Sequence, residues 1–344
     1  MILDRSWNKF EKKLIISYID KQGRRQFYQK YLHHIKTYEY DANGEFDTWN
    51  GKKCTKVYKD TTDYSPNEFD LLEYMYELPK DLNDAFHAQN FPRVYTFDIE
   101  TEVSNKFPDP ELAEQKVTCI SLVGPDMSCI VYGLTPMSET SKEIFSKRYI
   151  DWIEQNQFAK SILGENKPKV LYQYFPSEED MLKHFFTIII PKVPCLAGWN
   201  AYNFDWQYLV NRIIKLFGRG VAYNMVRKSS PTGEIQNYTW KDQGGKSHKI
   251  IGPKHTIIID YMRIVEAYDF ILRPYESFSL DWVSSRAINA HKIEYDGDLQ
   301  TLYEKDTDWY YYYNAIDSLL VLLIHYKLKS LESPCAVSSV TLVP

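Results

Sequence analysis

The chain has 344 residues, of which 44% are hydrophobic and 15% aromatic, and this is enough for the cores of two domains of ordinary size. Its formal net charge of −5 excludes a protein that is basic over its whole surface, but that charge is compatible with a local basic groove beside an acidic metal site. The five cysteines include no Cys-x-x-Cys pair, which argues against a disulfide framework or a zinc site and suits a reducing compartment.

Targeting signals are not found in the sequence. Charged residues near the N-terminus exclude a signal peptide, and the longest aliphatic run, 319–324, is too short to span a bilayer. We therefore expect a cytoplasmic protein with no membrane contact.

Residues 1–93 are predicted to form a separate, smaller domain of mixed α/β structure. A strand at 14–19, a turn at 20–23 and a return strand at 25–28 predict a β-hairpin. Residues 69–78 have the apolar spacing of a helix. No catalytic set of side chains is recognisable in this region.

The next segment, 94–100, predicts a buried strand that ends in two carboxylates. Side chains alternate across a strand, so Asp98 and Glu100 point to the same face and repel each other. A hard divalent cation such as Mg²⁺ would neutralise this repulsion, and the alternative is a solvated strand end. Strands are also predicted at 117–123 and 128–133, which would continue the first strand as a meander.

A second acidic position follows the short apolar segment 193–199. Asp205 begins an amphipathic helix whose apolar residues recur at helical spacing up to Gly218, which is predicted to end it. Asp205 either interacts favourably with the helix dipole or, if the preceding segment belongs to the same sheet, reaches the two carboxylates of the strand 94–100.

The segment 225–255 is the most basic part of the C-terminal two-thirds, and aromatic residues lie between its cations. Two short strands around a turn at 242–245 predict a hairpin, either solvated or in contact with a nucleic-acid strand. A buried strand at 256–260 follows, and its last residue, Asp260, is another acidic candidate that we leave outside the site.

The last predicted element is a helix from about residue 307 to about residue 331. Tyr313 and Asp317 are four residues apart and therefore share a face of this helix. The alternative is an aromatic core face with an aspartate on the surface. Helix capping explains the acidic residues at 306–308.

Taken in order, the three acidic stretches resemble the Exo I, Exo II and Exo III motifs of the 3′→5′ exonuclease of family B DNA polymerases. These stretches are Asp98-x-Glu100, Asn200-x-x-x-Phe204-Asp205 and Tyr313-x-x-x-Asp317. The tyrosine subtype of the four-acid exonucleases fits, because Tyr313 stands where the other subtype has histidine. Further stretches resemble the T-even-type phage branch: Gly198-Trp199-Asn200, Ser279-Leu280-Asp281 and the segment 292–297. The resemblance is clear over 94–330 and thinner over 1–93.

The resemblance implies an α/β (α+β) fold. An RNase H-like exonuclease domain with a mixed central sheet would span 94–331, after the N-terminal domain 1–93. Residues 332–344 would be a tail that starts a polymerase portion.

The resemblance also implies a function, which is proofreading by two-metal hydrolysis of the 3′-terminal phosphodiester of single-stranded DNA or of a primer-template end. Asp98, Glu100, Asp205 and Asp317 would hold two Mg²⁺ or Mn²⁺ ions, and Tyr313 would orient the attacking water. Lys292 would be a further active-site cation. The residues expected to contact DNA are Asn200, Phe204, Arg227, Lys228 and Trp240.

The chain departs from the family in one respect, because no palm, fingers or thumb motif precedes Pro344. We therefore expect a truncated or split enzyme that does not polymerise DNA alone, with a second polypeptide carrying those domains. If the protein is viral, it would act in the host cytoplasm. The alternative functions are a nucleic-acid-binding or scaffold subunit without nuclease activity of its own and a free-standing nuclease of the same fold.

Overall fold

The computed structural model describes residues 1–48, 50–102, 107–241 and 244–341. The chain divides into two compact units. Residues Met1–Pro92 and the C-terminal residues from Ser333 form the first unit, and Arg93–Glu332 form the second. Among the described residues, no helix is long and apolar enough to cross a membrane.

The first unit contains two antiparallel three-stranded sheets, with strand orders β1-β2-β3 and β4-β6-β5. Its strands are β1 (Ile2–Asn8), β2 (Lys13–Ile19), β3 (Arg25–Tyr31), β4 (His34–Tyr40), β5 (Phe46–Asp47) and β6 (Lys53–Asp60). Its helices are α1 (Glu68–Tyr76), which begins with a capping box formed by Asn67 and Asp70, and α2 (Lys80–His87). Leu14, Met75 and Phe86 are central in its apolar core.

The end of the chain folds with this unit. The last helix of the chain spans Glu332–Thr341, with Cys335 and Ser339 buried. The His87 ring donates a hydrogen bond to the carbonyl of Ser339, at 2.8 Å. The predicted tail over 332–344 contains this helix, and its residues 342–344 lie outside the described residues.

The second unit is built on a six-stranded mixed sheet with the order β10-β9-β8-β7-β11-β14. Its strands are β7 (Val94–Thr101), β8 (Val117–Val123), β9 (Cys129–Gly133), β10 (Val170–Tyr174), β11 (Cys195–Gly198) and β14 (Ile257–Asp260). The strands β7, β8 and β9 form the predicted antiparallel meander, whereas β10, β11 and β14 pair in parallel with their neighbours. Two more strands, β12 (Ile235–Lys241) and β13 (Ser247–Pro253), form the predicted hairpin, and residues 242–243 of its turn lie outside the described residues.

Helices cover the sheet. They are α3 (Glu139–Gln155), α4 (Gln157–Leu163), α5 (Glu178–His184), α6 (Asp205–Lys228), α7 (Tyr261–Tyr268), α8 (Leu280–Ile288), α9 (Leu299–Lys305) and α10 (Thr307–Leu328), and the last helix of the chain is α11. After α5 the chain continues as a π-helical turn, Phe185–Ile189, and a 3₁₀ turn, Ile190–Lys192.

The predicted helix end at Gly218 is confirmed by its non-helical backbone. Gly218 has a left-handed φ of 76°, which interrupts the helix, but helical structure resumes and continues to Lys228. The second half buries Ala222, Met225 and Val226 in the same apolar core as the first half. A second helical segment, which the sequence did not predict, therefore follows the break at Gly218 and extends α6 to Lys228.

The helix α10 is held on the sheet by buried hydroxyl groups. Thr96 of β7 donates a hydrogen bond to the carbonyl of Ser318 at 2.7 Å, and Ser121 of β8 donates to the carbonyl of Asn314 at 2.9 Å. The hydroxyls of Ser121 and Ser318 also lie 2.7 Å apart. These small side chains allow close approach and set the position of α10 along β7.

Candidate active site

Three carboxylates meet where α10 crosses β7. Asp98 and Glu100 project from one face of β7, and Asp317 projects from α10. Each residue offers a carboxylate oxygen that lies within 4.8 Å of the other two. Asn314, one turn before Asp317, donates a hydrogen bond from Nδ2 to Oδ2 of Asp98 at 2.6 Å.

A turn between β11 and α6 presents the fourth acid. Gly198, at the end of β11, lies so close to β7 that a Cβ there would be 3.0 Å from the Phe97 ring. Asn200 then adopts a left-handed φ of 60°, and its carbonyl accepts hydrogen bonds from the N–H groups of Asn203 and Phe204. Asp205 follows as the first residue of α6 and is only 3% exposed.

The carboxylate of Asp205 faces β7, where the backbone N–H of Ile99 donates a hydrogen bond to it. Asp205 does not belong to the three-acid cluster, but its charge raises the pKa of Asp98. The four acids therefore line one cleft.

Burial and mutual repulsion make these acids weak. Burial, followed by the charge of Asp317, raises the pKa of Glu100 to about 8. Burial raises the pKa of Asp205 to about 7, and the pKa values of Asp98 and Asp317 are also raised by burial. Proton binding is favoured because too little positive charge offsets the four carboxylates.

Lys292 supplies part of that positive charge. Its Nζ lies 2.6 Å from Oδ2 of Asp317 and 5.0 Å from the centre of the Tyr313 ring. Burial lowers the pKa of Lys292, but the charges of Asp317, Tyr313 and Asp98 and the hydrogen bond to Asp317 together outweigh that effect, and the net shift is upward. Burial and the Asp317 carboxylate also raise the pKa of Tyr313, so its hydroxyl keeps its proton at neutral pH.

The donor set fits divalent cations. All four acids offer hard oxygen ligands, and Oδ1 of Asp317 is buried without a hydrogen-bond partner among the described residues. A buried carboxylate oxygen without a partner is costly, and a bound cation would satisfy it.

The acids lie in a cleft of about 940 Å³. Asn200 and Phe204, two of the predicted DNA contacts, line this cleft, and the Phe204 ring packs against Phe107 with 5.6 Å between centroids. Trp199 and Tyr295 also line it, and sequence reasoning did not assign either a role. The structure therefore gives the cleft an apolar, aromatic wall beside the acids.

The other three predicted DNA contacts lie elsewhere. Arg227 and Lys228 are exposed on the last turn of α6, outside the residues that line the cleft. Trp240 is only 8% exposed, and its indole N–H donates to Oδ1 of Asn203 at 2.8 Å. Its ring is not open to a base, because the hairpin packs against the turn that precedes Asp205.

Sequence reasoning also missed Asn314. A buried amide in a helix of aromatic and aliphatic residues needs a polar partner. Asn314 stands three residues before Asp317, on the same face of the helix, so the sequence indicated that it lies near the acids.

Comparison of the sequence with known proteins gives a family and several relatives. The family model for the exonuclease domain of DNA polymerase family B matches residues 53–283, which include Asp98, Glu100 and Asp205 but end before Tyr313 and Asp317. The DNA-directed DNA polymerase of Escherichia phage RB69 is 29% identical over 340 residues, covering 90% of this chain and 35% of the relative.

Two further relatives are also polymerases. The DNA-directed DNA polymerase of Enterobacteria phage T4 is 28% identical over 244 residues, covering 68% of this chain and 25% of the relative. The DNA polymerase catalytic subunit of Equine herpesvirus 1 (strain Ab4p) is 33% identical over 136 residues, covering 37% of this chain and 11% of the relative. The chain thus spans at most about a third of the length of these relatives.

The observed fold is the one expected for the matched family. The mixed central sheet, with helices packed on it, is the predicted RNase H-like α/β fold. Because the family model covers more than half of the sequence, the chain belongs to the exonuclease domain family of family B DNA polymerases.

Proposed function

We propose that this chain is a 3′→5′ exonuclease that removes nucleotides from the 3′ end of single-stranded DNA and thereby proofreads DNA synthesis. The observation that carries the proposal is the convergence of four carboxylates, Lys292 and Tyr313 in one cleft with aromatic walls. The family supports the reaction class, since its relatives are DNA polymerases.

Divalent cations, Mg²⁺ or Mn²⁺, would be held by Asp98, Glu100, Asp205 and Asp317. When bound, two such ions would lower the pKa of water and neutralise negative charge on the scissile phosphate. Asp98, Glu100 and Asp317 each offer a carboxylate oxygen within 4.8 Å of the other two, so these three side chains could bind one cation together.

The remaining residues orient the reactants. Tyr313 keeps its phenolic proton and lies one helical turn before Asp317, so its hydroxyl is suited to hold the attacking water. Lys292 stays charged and would stabilise negative charge that develops on the phosphate. Phe204 and Asn200 would contact the terminal nucleotides, by stacking and by hydrogen bonding respectively.

The first test uses a 5′-labelled single-stranded oligonucleotide with Mg²⁺ or Mn²⁺, and a chelator as the negative control. We expect a ladder of products shortened from the 3′ end by the wild-type chain and no ladder from Asp98→Ala. No shortening with either ion would contradict the proposed activity and leave a binding or scaffold role.

The role of Tyr313 has its own test. Tyr313→Phe removes only the hydroxyl, so Mn²⁺ binding should be retained while the cleavage rate falls by about 10- to 100-fold. Calorimetric titration with Mn²⁺ and single-turnover cleavage separate the two effects. A variant as inactive as Asp98→Ala, or one with wild-type rate, would rule out the water-positioning role.

We also propose that the chain edits for palm, fingers and thumb domains carried by a second polypeptide. The relatives that it matches are longer chains whose names describe DNA polymerases. Size-exclusion chromatography of the chain mixed with such a polypeptide should give a joint peak, and the mixture should remove a mismatched primer end before extension. Separate elution at micromolar concentration would contradict this arrangement.

A further inference from the structure

A fifth buried acid lies behind the cleft. Asp260 ends β14 and is 2% exposed, and in the parallel pairing of β11 with β14 it lies opposite Gly198. It does not line the cleft that contains the other four acids. Asp260 therefore has a role other than direct contact with a substrate in that cleft.

Helix capping explains only part of its environment. Asp260 is the N-cap of α7, and its Oδ1 accepts a hydrogen bond from the backbone N–H of Arg263 at 3.4 Å. Its Oδ2, however, accepts the backbone N–H of Tyr202 at 3.2 Å, and the N–H of Asn200 also stabilises the carboxylate. These two donors belong to the turn that precedes Asp205, 58 residues away in sequence in the case of Tyr202.

The negative charge of Asp260 disfavours the ionised form of Asp205. The Asp260 carboxylate raises the pKa of Asp205, so the two buried acids repel each other. Arg263 offsets part of that charge, with its Nε 3.5 Å from Oδ2 of Asp260. Serine or asparagine would cap α7 about as well without adding a charge beside Asp205, so capping alone does not require a carboxylate here.

We propose that Asp260 is a positioning residue that holds the 200–204 turn and thereby fixes Asp205 against β7. The N–H groups of Tyr202 and of the left-handed Asn200 both face the carboxylate of Asp260. This contact links the end of β14 to the turn at the start of α6. Side chains that orient metal-binding groups typically contribute 10- to 100-fold to metal affinity or activity. The inference rests on the proposed exonuclease function.

Three substitutions separate the two roles of Asp260, which are capping of α7 and contact with the 200–204 turn. Asp260→Asn keeps the length of the side chain but only one oxygen acceptor, so it can accept from the N–H of Arg263 or from that of Tyr202, but not from both. Asp260→Ser caps α7 with a single, shorter hydroxyl that does not reach the N–H of Tyr202. Asp260→Ala removes both contacts. Asp70→Ala is the matched control, because Asp70 is also a buried acid that accepts a backbone N–H, from Asn67, but it lies in the first unit.

The measurements are Mn²⁺ affinity of the metal-free chain by calorimetry without DNA, thermal stability, and single-turnover cleavage at several oligonucleotide concentrations. Asp260→Ser should lose less stability than Asp260→Ala, because it keeps the cap, but it should lose about 10- to 100-fold in Mn²⁺ affinity and maximal rate, with the half-saturating oligonucleotide concentration unchanged. Asp260→Ala should show the same losses and also lower stability. Asp260→Asn, which can keep only one of the two contacts, should lose no more affinity and rate than Asp260→Ser, and Asp70→Ala should lower stability alone.

Wild-type affinity and rate in Asp260→Ser would overturn the inference and leave Asp260 as a helix cap only. If Asp260→Ala does not fold, the serine variant still decides, because its hydroxyl keeps the cap of α7. A wild-type chain that neither binds Mn²⁺ nor cleaves DNA would instead remove the proposed function, and this inference with it.

Discussion

Asp98 is the residue at which the requirements of folding and of cation binding oppose each other most directly. Burial and the charges of Asp205, Asp317 and Glu100 all raise its pKa, and Asn314 is its hydrogen-bond donor. A carboxyl group whose pKa is higher in the folded than in the unfolded chain ionises at the expense of folding free energy at any pH above its unfolded pKa of about 4. Asp98 therefore destabilises the cation-free protein at neutral pH.

Asp98→Asn should accordingly stabilise the protein while it abolishes cleavage. The amide has nearly the same shape and can accept the hydrogen bond from Asn314, but it removes one of the repelling charges. A gain of about 1 kcal/mol corresponds to a rise of roughly 2–4 °C in Tm for a unit of this size. The measurement is a thermal melt with a chelator at pH 8, and a lower Tm than wild type would contradict the electrostatic explanation.

The affinity of the cleft for cations should depend on pH. Glu100, with a pKa of about 8, and Asp205, with a pKa of about 7, both carry protons at pH 6, and a cation must displace them. Mn²⁺ affinity should therefore rise from pH 6 to pH 8, by roughly tenfold per pH unit for each proton displaced, and level off above pH 8. Calorimetry in two buffers of different ionisation enthalpy would measure the proton release, and an affinity independent of pH would contradict the raised pKa values.

At the scale of elements, the contact between α10 and β8 determines where Asp317 lies relative to Asp98. Ser121 is opposite Asp98 in the register of β7 with β8, and it is fully buried beneath α10. Its hydroxyl contacts both Asn314 and Ser318, so no space is left for a larger side chain.

Ser121→Val should lower both stability and activity. The added methyl group overpacks this contact and displaces α10 from the sheet, at a cost of about 2–4 kcal/mol in the free energy of unfolding. The control Ser121→Ala loses only the hydrogen bonds and should cost about 1 kcal/mol with little change in rate. Urea unfolding and single-turnover cleavage measure the two effects, and equal rates in the two variants would mean that α10 does not move.

The sequence was informative about elements that have a strong local pattern. The alternation of residues 94–100 and the helical spacing after Asp205 predicted β7 and α6, because each pattern reflects a face that the element buries. The convergence of the acids followed from their order along the chain and from the family resemblance.

Long-range packing decided the features that the sequence did not predict. The helical segment that follows the break at Gly218 was not predicted, and it forms because its apolar residues are buried. Trp240 belongs to the packed hairpin and not to an open surface, and a single tryptophan among cations has the same local pattern in both cases. The contact of Asp260 with the 200–204 turn joins residues that are far apart in sequence.

At the scale of the whole molecule, the division into two units separates the proposed site from the rest of the chain. The sequence predicted a boundary at residue 93, and the structure divides the chain after Pro92. All residues that line the acidic cleft belong to Arg93–Glu332. A cation that binds the folded cleft should therefore stabilise this unit specifically.

Differential scanning calorimetry should resolve this effect. A cation at 100 times its dissociation constant adds about 2.7 kcal/mol to the stability of the state that binds it, which corresponds to a rise of roughly 5–10 °C for the unit Arg93–Glu332. The transition of the first unit, which Asp70→Ala identifies by lowering it, should not move with Mn²⁺. Asp98→Ala is the matched control, because removal of one ligand should abolish the shift while both transitions persist. If Mn²⁺ raised both transitions equally, or raised them in Asp98→Ala as in wild type, the cation would be acting outside the four-acid cleft.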